Sequence, residues 1–164
     1  MKHILYPIPV LLLMVCSLVF CQCSSRRGPY DPQLMHIDSL LNEADVDTAK
    51  VLAAFGRVSK SLDTENQMYY NLLTQYYMFK TYQPVENDSI LRAVIEYYGD
   101  KPTKEGLLAN YIATGMYNDR NEFAKAQDCG LRFLRMSDRT SKFDKVMRAK
   151  CHLQLSDSSF GFRL

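Results

Sequence analysis

The chain has no HExxH zinc signature, no glycine-rich phosphate loop and no GxSxG nucleophile elbow, so the usual local motifs for hydrolysis and phosphoryl transfer are missing. Strict apolar–polar alternation is absent as well, which removes a sheet and points to an all-α chain. Charge of one sign is not in excess. Twenty lysines and arginines face 18 acidic residues, a net charge of +2, and this carries no electrostatic footprint for nucleic acid. Histidine is scarce: His36 and His152 stand alone on predicted helices without a second ligand at helical spacing, so no metal site is expected. Past residue 23 the cysteines are Cys129 and Cys151. They read either as small packing thiols or as a disulfide between successive helices in an oxidising compartment. Glu96 and Asp100 read as ordinary helix-surface and terminus charges. No catalytic constellation and no cofactor are expected.

The N-terminus is a different material. Lys2 and His3 precede an almost wholly apolar run over residues 4–20, broken by Pro7 and Pro9. The two prolines argue against a regular spanning helix and for a secretory signal over residues 1–23. Cys21-Gln22-Cys23-Ser24-Ser25 resembles the end of a bacterial lipoprotein signal, with Cys23 the expected acylated residue and Cys21 the alternative. Acylation implies a membrane anchor without a transmembrane helix in the mature protein. Residues 24–30 read as a linker. With Lys2 removed, 19 basic residues balance 18 acidic ones.

A helical domain is predicted over residues 31–155. Asp31-Pro32 offers an N-cap and a proline at the first helical position, followed by a stripe of Leu34, Ile37, Leu41 and Ala44. Asp47-Thr48 opens a second helix carrying Val51, Leu52, Phe55 and Val58. Asp63 or Thr64 starts the longest helix, which Pro84 ends. Asn87-Asp88-Ser89 caps a fourth, with Ile90, Leu91, Val94, Ile95 and Tyr98 as core candidates. A seventh helix over residues 143–155 places Phe143, Val146, Met147 and Leu153 inward, and residues 156–164 read as a loose tail.

Residues 107–134, LLANYIATGMYNDRNEFAKAQDCGLRFL, organise the rest. Leu108, Tyr111, Ile112 and Gly115 share one helical face, and Phe123, Ala126, Gly130 and Leu134 share another. The polar turn over residues 118–121 offers Asn and Asp groups to cap the second helix. A mid-helix glycine costs about 1 kcal/mol against alanine, so Gly115 calls for a packing reason, here a close approach to Ala126 on the facing helix. This hairpin resembles the tetratricopeptide repeat: Tyr111 stands for its first aromatic, Gly115 for its glycine, Phe123 for the aromatic near the turn and Ala126 for its alanine. The fold expected is a short right-handed solenoid of about three hairpins, with the seventh helix unpaired.

The phrases IDSLL, DTAKVLAAF, YYNLLTQYYMFKTY and DSILRAVIEYY, taken with the hairpin, are similar to tetratricopeptide-containing lipoproteins of Bacteroidota envelopes. The resemblance implies a lipid-anchored, periplasm-facing protein that binds another protein or peptide and catalyses nothing; the alternative is a sensory fragment lacking its output module. It also implies candidate O-glycosylation at Ser39, Thr48 and Ser89, each behind an aspartate, against which helix capping by those aspartates is the competing reading. Repeat solenoids bind partners on their concave face, and Tyr69, Tyr70, Tyr76 and Tyr77 are the candidate groove residues, one member of each pair facing outward.

Overall fold

The computed structural model describes residues 30–85, 87–98, 100–139 and 145–161. The signal segment expected over residues 1–23, with Cys21 and Cys23, most of the expected linker and Phe143 lie outside the described residues. Seven helices and no strand occur among those described, so the chain is all-α. They are α1 (Pro32–Leu41), α2 (Thr48–Phe55), α3 (Thr64–Lys80), α4 (Ser89–Tyr98), α5 (Lys104–Asp119), α6 (Phe123–Ser137) and α7 (Lys145–Gly161).

Local chemistry sets most helix starts. The Asp31 carboxylate accepts from the Gln33 amide, Asp47 from Lys50, Asp63 from Asn66, and the Thr103 hydroxyl accepts from Gly106. Each satisfies one of the orphan amides that a helix N-terminus leaves unpaired. The chain before α1 is held in place too: Tyr30 stacks on Tyr69 at 3.8 Å, and the Asp31 amide donates to Asn66 Oδ1 at 2.8 Å. At the far end of α1, Lys80 Nζ donates to the carbonyls of Leu41 and Glu43 at 2.9 and 3.1 Å.

Helices α3 and α5 stop in the same way. The Gln83 amide returns to Met78 O and the Tyr82 amide to Phe79 O, while Glu122 returns to Tyr117 O and Asn121 to Asn118 O. Tyr82 and Asn121 both take left-handed backbone, with φ of 53° and 60°. This is the Schellman stop, here without its usual glycine. The expected Asn/Asp cap of α6 is not made. Its N-cap is Glu122, with no side-chain cap bond, and Asn118 instead binds α7.

Helix α5 lies at the centre. It packs on α3, α4, α6 and α7, and every residue from Gly106 to Tyr117 is buried. Among these, Asn110 and Thr114 turn inward to backbone carbonyls of their own helix, at 2.8 Å each. Gly115 does have a packing reason, though a different one from that expected. A Cβ there would stand 2.4 Å from the Phe79 ring of α3 and 2.8 Å from Gln154 of α7, whereas Ala126 is not among its nearest neighbours. Gly130 on α6 makes the matching concession to Leu155 of α7.

Helix α7 corrects two expectations. It has no hairpin mate among the described residues but packs on both α5 and α6. It runs on through residues 156–161, so that stretch is no loose tail. Of the apolar residues expected inward, Met147 does pack against the core, together with Leu155, but two others do not. Val146 and Leu153 are 60% and 67% exposed, while Cys151 and Ser158 are fully buried. Hydrogen bonds dock this face: Ser158 Oγ donates to Asn118 Oδ1 at 2.5 Å, and Asn118 Nδ2 donates to the Gln154 carbonyl at 2.7 Å.

Substituting Gly115→Ala sets a helix-propensity gain of about 1 kcal/mol against overpacking of typically 1–3 kcal/mol. The 2.4 Å approach to a ring already held against Tyr111 makes the clash win. Chemical denaturation is expected to show a net loss of roughly 1 kcal/mol; a gain would contradict the packing described.

Candidate functional site

Helices α4 and α6 both rest on α5, and among the described residues their backbones do not pack against each other. A groove of about 480 Å³ opens between them. Its apolar lining is Ile95, Tyr117, Ala124 and Cys129; Arg92, Glu96, Lys125, Asp128 and Arg132 stand around it.

Ion pairs bridge the two helices at both ends of this groove. At the first, Asp88 just before α4 meets Lys125 of α6 at 3.5 Å and Arg92 at 3.3 Å, and accepts from the Tyr117 hydroxyl at 3.3 Å. At the second, Arg132 of α6 reaches Asp100 just beyond α4 at 3.2 Å and Asp128 at 2.8 Å. Lys125 is also paired with Glu122 at 2.5 Å and sits 5.1 Å from the centre of the Tyr117 ring. Four of the five charged side chains around the groove are therefore committed to partners.

The electrostatics follow from this geometry. Burial works to raise the Asp88 carboxyl, but Arg92 and Lys125 outweigh it and hold the group below its ordinary value. Burial and the adjacent Asp88 charge raise the Tyr117 phenol. Burial, assisted by Asp128, pushes the Cys129 thiol up to about 11 despite Arg132. A thiol held neutral in this way is a poor nucleophile.

The other sequence-derived candidates are dispersed. Tyr111 is buried, edge-on to Phe79 at 5.5 Å; Ala126 is fully buried, and Phe123 is the half-buried first residue of α6. The tyrosine groove is corrected. Tyr69, Tyr76 and Tyr77 all lie in the core, and Tyr70, half-buried, packs edge-on against Phe55. The doublets fall on two inward faces because α3 is covered by α1 on one side and by Phe55 of α2 on another.

Ser39, Thr48 and Ser89 are all exposed. Capping accounts for Asp47, and Asp88 stands at the start of α4, but Asp38 lies in mid-helix, buried. It pairs with Lys104 at 2.5 Å and accepts from Asn42 Nδ2 at 2.9 Å. Cys129 and Cys151 are free thiols, both buried, and Cys151 Sγ approaches Gly130 O at 3.8 Å. His36 and His152 are exposed.

The groove itself was not anticipated. Ile95 had the pattern of a core residue, and the charges at i and i+4 on α4 and α6 look like any solvated helix face. No sequence signal marks a space between two helices separated by a third. No family model, no curated protein and no solved structure matches the chain.

Two outcomes are expected. A carboxyl depressed by folding contributes stability that is present above its unfolded value and lost as pH falls through its folded value. The chain should therefore lose stability below about pH 4, and Asp88→Asn should flatten part of that loss in denaturation series at successive pH; an unchanged profile would contradict the first bridge. Peptide-mapped alkylation at pH 8 should label Cys129 and Cys151 in denaturant without reductant but leave both unlabelled in the native chain. A requirement for reductant would contradict their free state.

Proposed function

We propose that this chain is an envelope-anchored, tetratricopeptide-like repeat protein that binds a segment of another protein without catalysis, and that the segment seats between α4 and α6. The groove with its apolar floor and charged rim is the observation that carries this reading. Clefts of this size with a few convergent polar groups are the usual places where a partner's apolar side chain is buried. The repeat reading is supported by the succession of neighbours: α1 packs on α2 and α3, α3 on α4 and α5, and α5 on α6 and α7. The shared stop of α3 and α5 repeats with it. The sequence around Cys23 supports the anchor. The neutral Cys129 thiol and the internally paired charges give the groove no evident nucleophile or general base, which favours binding over chemistry.

The partner's site differs from the tyrosine face expected of a concave surface. With residues Gly106 to Tyr117 buried on all sides, α5 leaves no open strip for a ligand. A photo-crosslinking side chain at Ile95 should give a discrete adduct in intact envelopes. Ala124→Trp should abolish it by filling the floor, and a crosslinker at the exposed Leu52 should give none. Equal adducts from both positions, or indifference to Ala124→Trp, would overturn the assignment of the groove.

A further inference from the structure

The two Schellman stops differ in one respect that the fold does not explain. At the left-handed position α5 uses Asn121, a residue that tolerates such backbone, whereas α3 uses Tyr82 at φ 53°. A tyrosine strained in this way is ordinarily compensated by packing of its ring. Tyr82 is 92% exposed, so its ring brings the fold little compensation.

Tyr82 lines a cup of about 380 Å³. Val85, Pro84 and Met116 supply apolar wall, and Asp119 and Arg120 supply charge. The arginine is committed: its Nε bonds Glu122 at 2.5 Å and its Nη1 donates to the Val85 carbonyl at 3.2 Å. The Asp119 carboxylate has no ion-pair or hydrogen-bond partner among the described residues, and partial burial raises it above its ordinary value. The cup thus brings together an exposed aromatic ring, an uncompensated carboxylate and apolar side chains. A cation over an aromatic face and beside a carboxylate is attracted by both.

We propose that the cup between the end of α3 and the end of α5 is a binding site for an alkylammonium group, its charge shared by the Tyr82 ring and Asp119 and its chain lying against Met116 and Val85. The strained tyrosine is then retained for its ring. Such a group could come from a lysine of a partner protein or from a free amine; the chemistry required is the same.

The test is an NMR titration of the full isotope-labelled chain in detergent with N-acetyl-lysine amide, against the uncharged N-acetyl-norleucine amide. Saturable shifts at the amides of Tyr82, Met116 and Asp119 are expected with the lysine compound and none with norleucine. Asp119→Asn and Tyr82→Gly should each weaken binding about fivefold. Tyr82→Gly should at the same time raise the thermal midpoint by roughly 4 °C, because the backbone strain is relieved; this separates loss of the site from loss of the fold. Tighter binding of the lysine compound than of n-butylammonium would identify the source as a protein side chain, and equal binding a free amine, each upholding the site. Equal shifts with norleucine, or undiminished binding by both variants, would overturn it. The result does not depend on whether the groove between α4 and α6 is occupied.

Discussion

The burial of α5 from Gly106 to Tyr117 is the constraint on which the rest of this structure depends. A helix enclosed on all sides must present small or flat surface wherever a neighbour crosses it. Gly115 does this, admitting the Phe79 ring from α3 and Gln154 from α7 at one level of the helix. The same enclosure favours local partners for its inward polar groups: Asn110 Nδ2 and the Thr114 hydroxyl donate to carbonyls one turn back, while Asn110 Oδ1 is buried without a partner among the described residues. Around this axis α3, α4, α6 and α7 pack directly on α5, and α1 joins through α3.

In the function proposed, that arrangement decides where a partner would be received. The burial of α5 from Gly106 to Tyr117 leaves no strip of that helix open, and the core tyrosines of α3 are spent on packing. The opening appears instead where α4 and α6 lean on α5 without their backbones packing against each other. Ion pairs stand at both ends of that opening, which in the reading proposed receives a compact apolar anchor. The aromatic and carboxylate cup at the ends of α3 and α5 lies apart from this window and shares none of its lining residues.

Much of the architecture was legible because it rests on local chemistry. Asp31-Pro32, Asp47-Thr48 and Asp63 announce helix starts through the hydrogen bonds that their side chains make within one turn. Gly115 was legible as a packing residue, because nothing else justifies glycine in mid-helix, although its partner was not. The failures are all matters of which face points inward. Helix α7 turns Met147, Cys151, Leu155 and Ser158 inward and exposes Val146 and Leu153, since its docking uses Asn118 and the small surface at Gly130 as well as apolar contact; apolar periodicity alone does not rank these faces. The tyrosine pairs misled for the converse reason. Two adjacent residues can both be buried when a helix is flanked by neighbours on two sides, as α3 is by α1 and α2. Asp38 looked like a cap by its neighbours in sequence and, by its neighbours in space, is a buried carboxylate paired with a largely exposed Lys104. The groove and the cup had no sequence signature, because each is assembled from segments that meet through a third.

Native-state hydrogen exchange, resolved by residue, tests the central place of α5 most directly. If α5 is the enclosed axis, the amides of Leu108 to Met116 will be the slowest in the chain and will open only with global unfolding. Helices α2 and α4, each with an open face, will exchange well before them. Exchange in α5 as fast as in α2, or a slowest core centred on α1 and α3, would contradict the account.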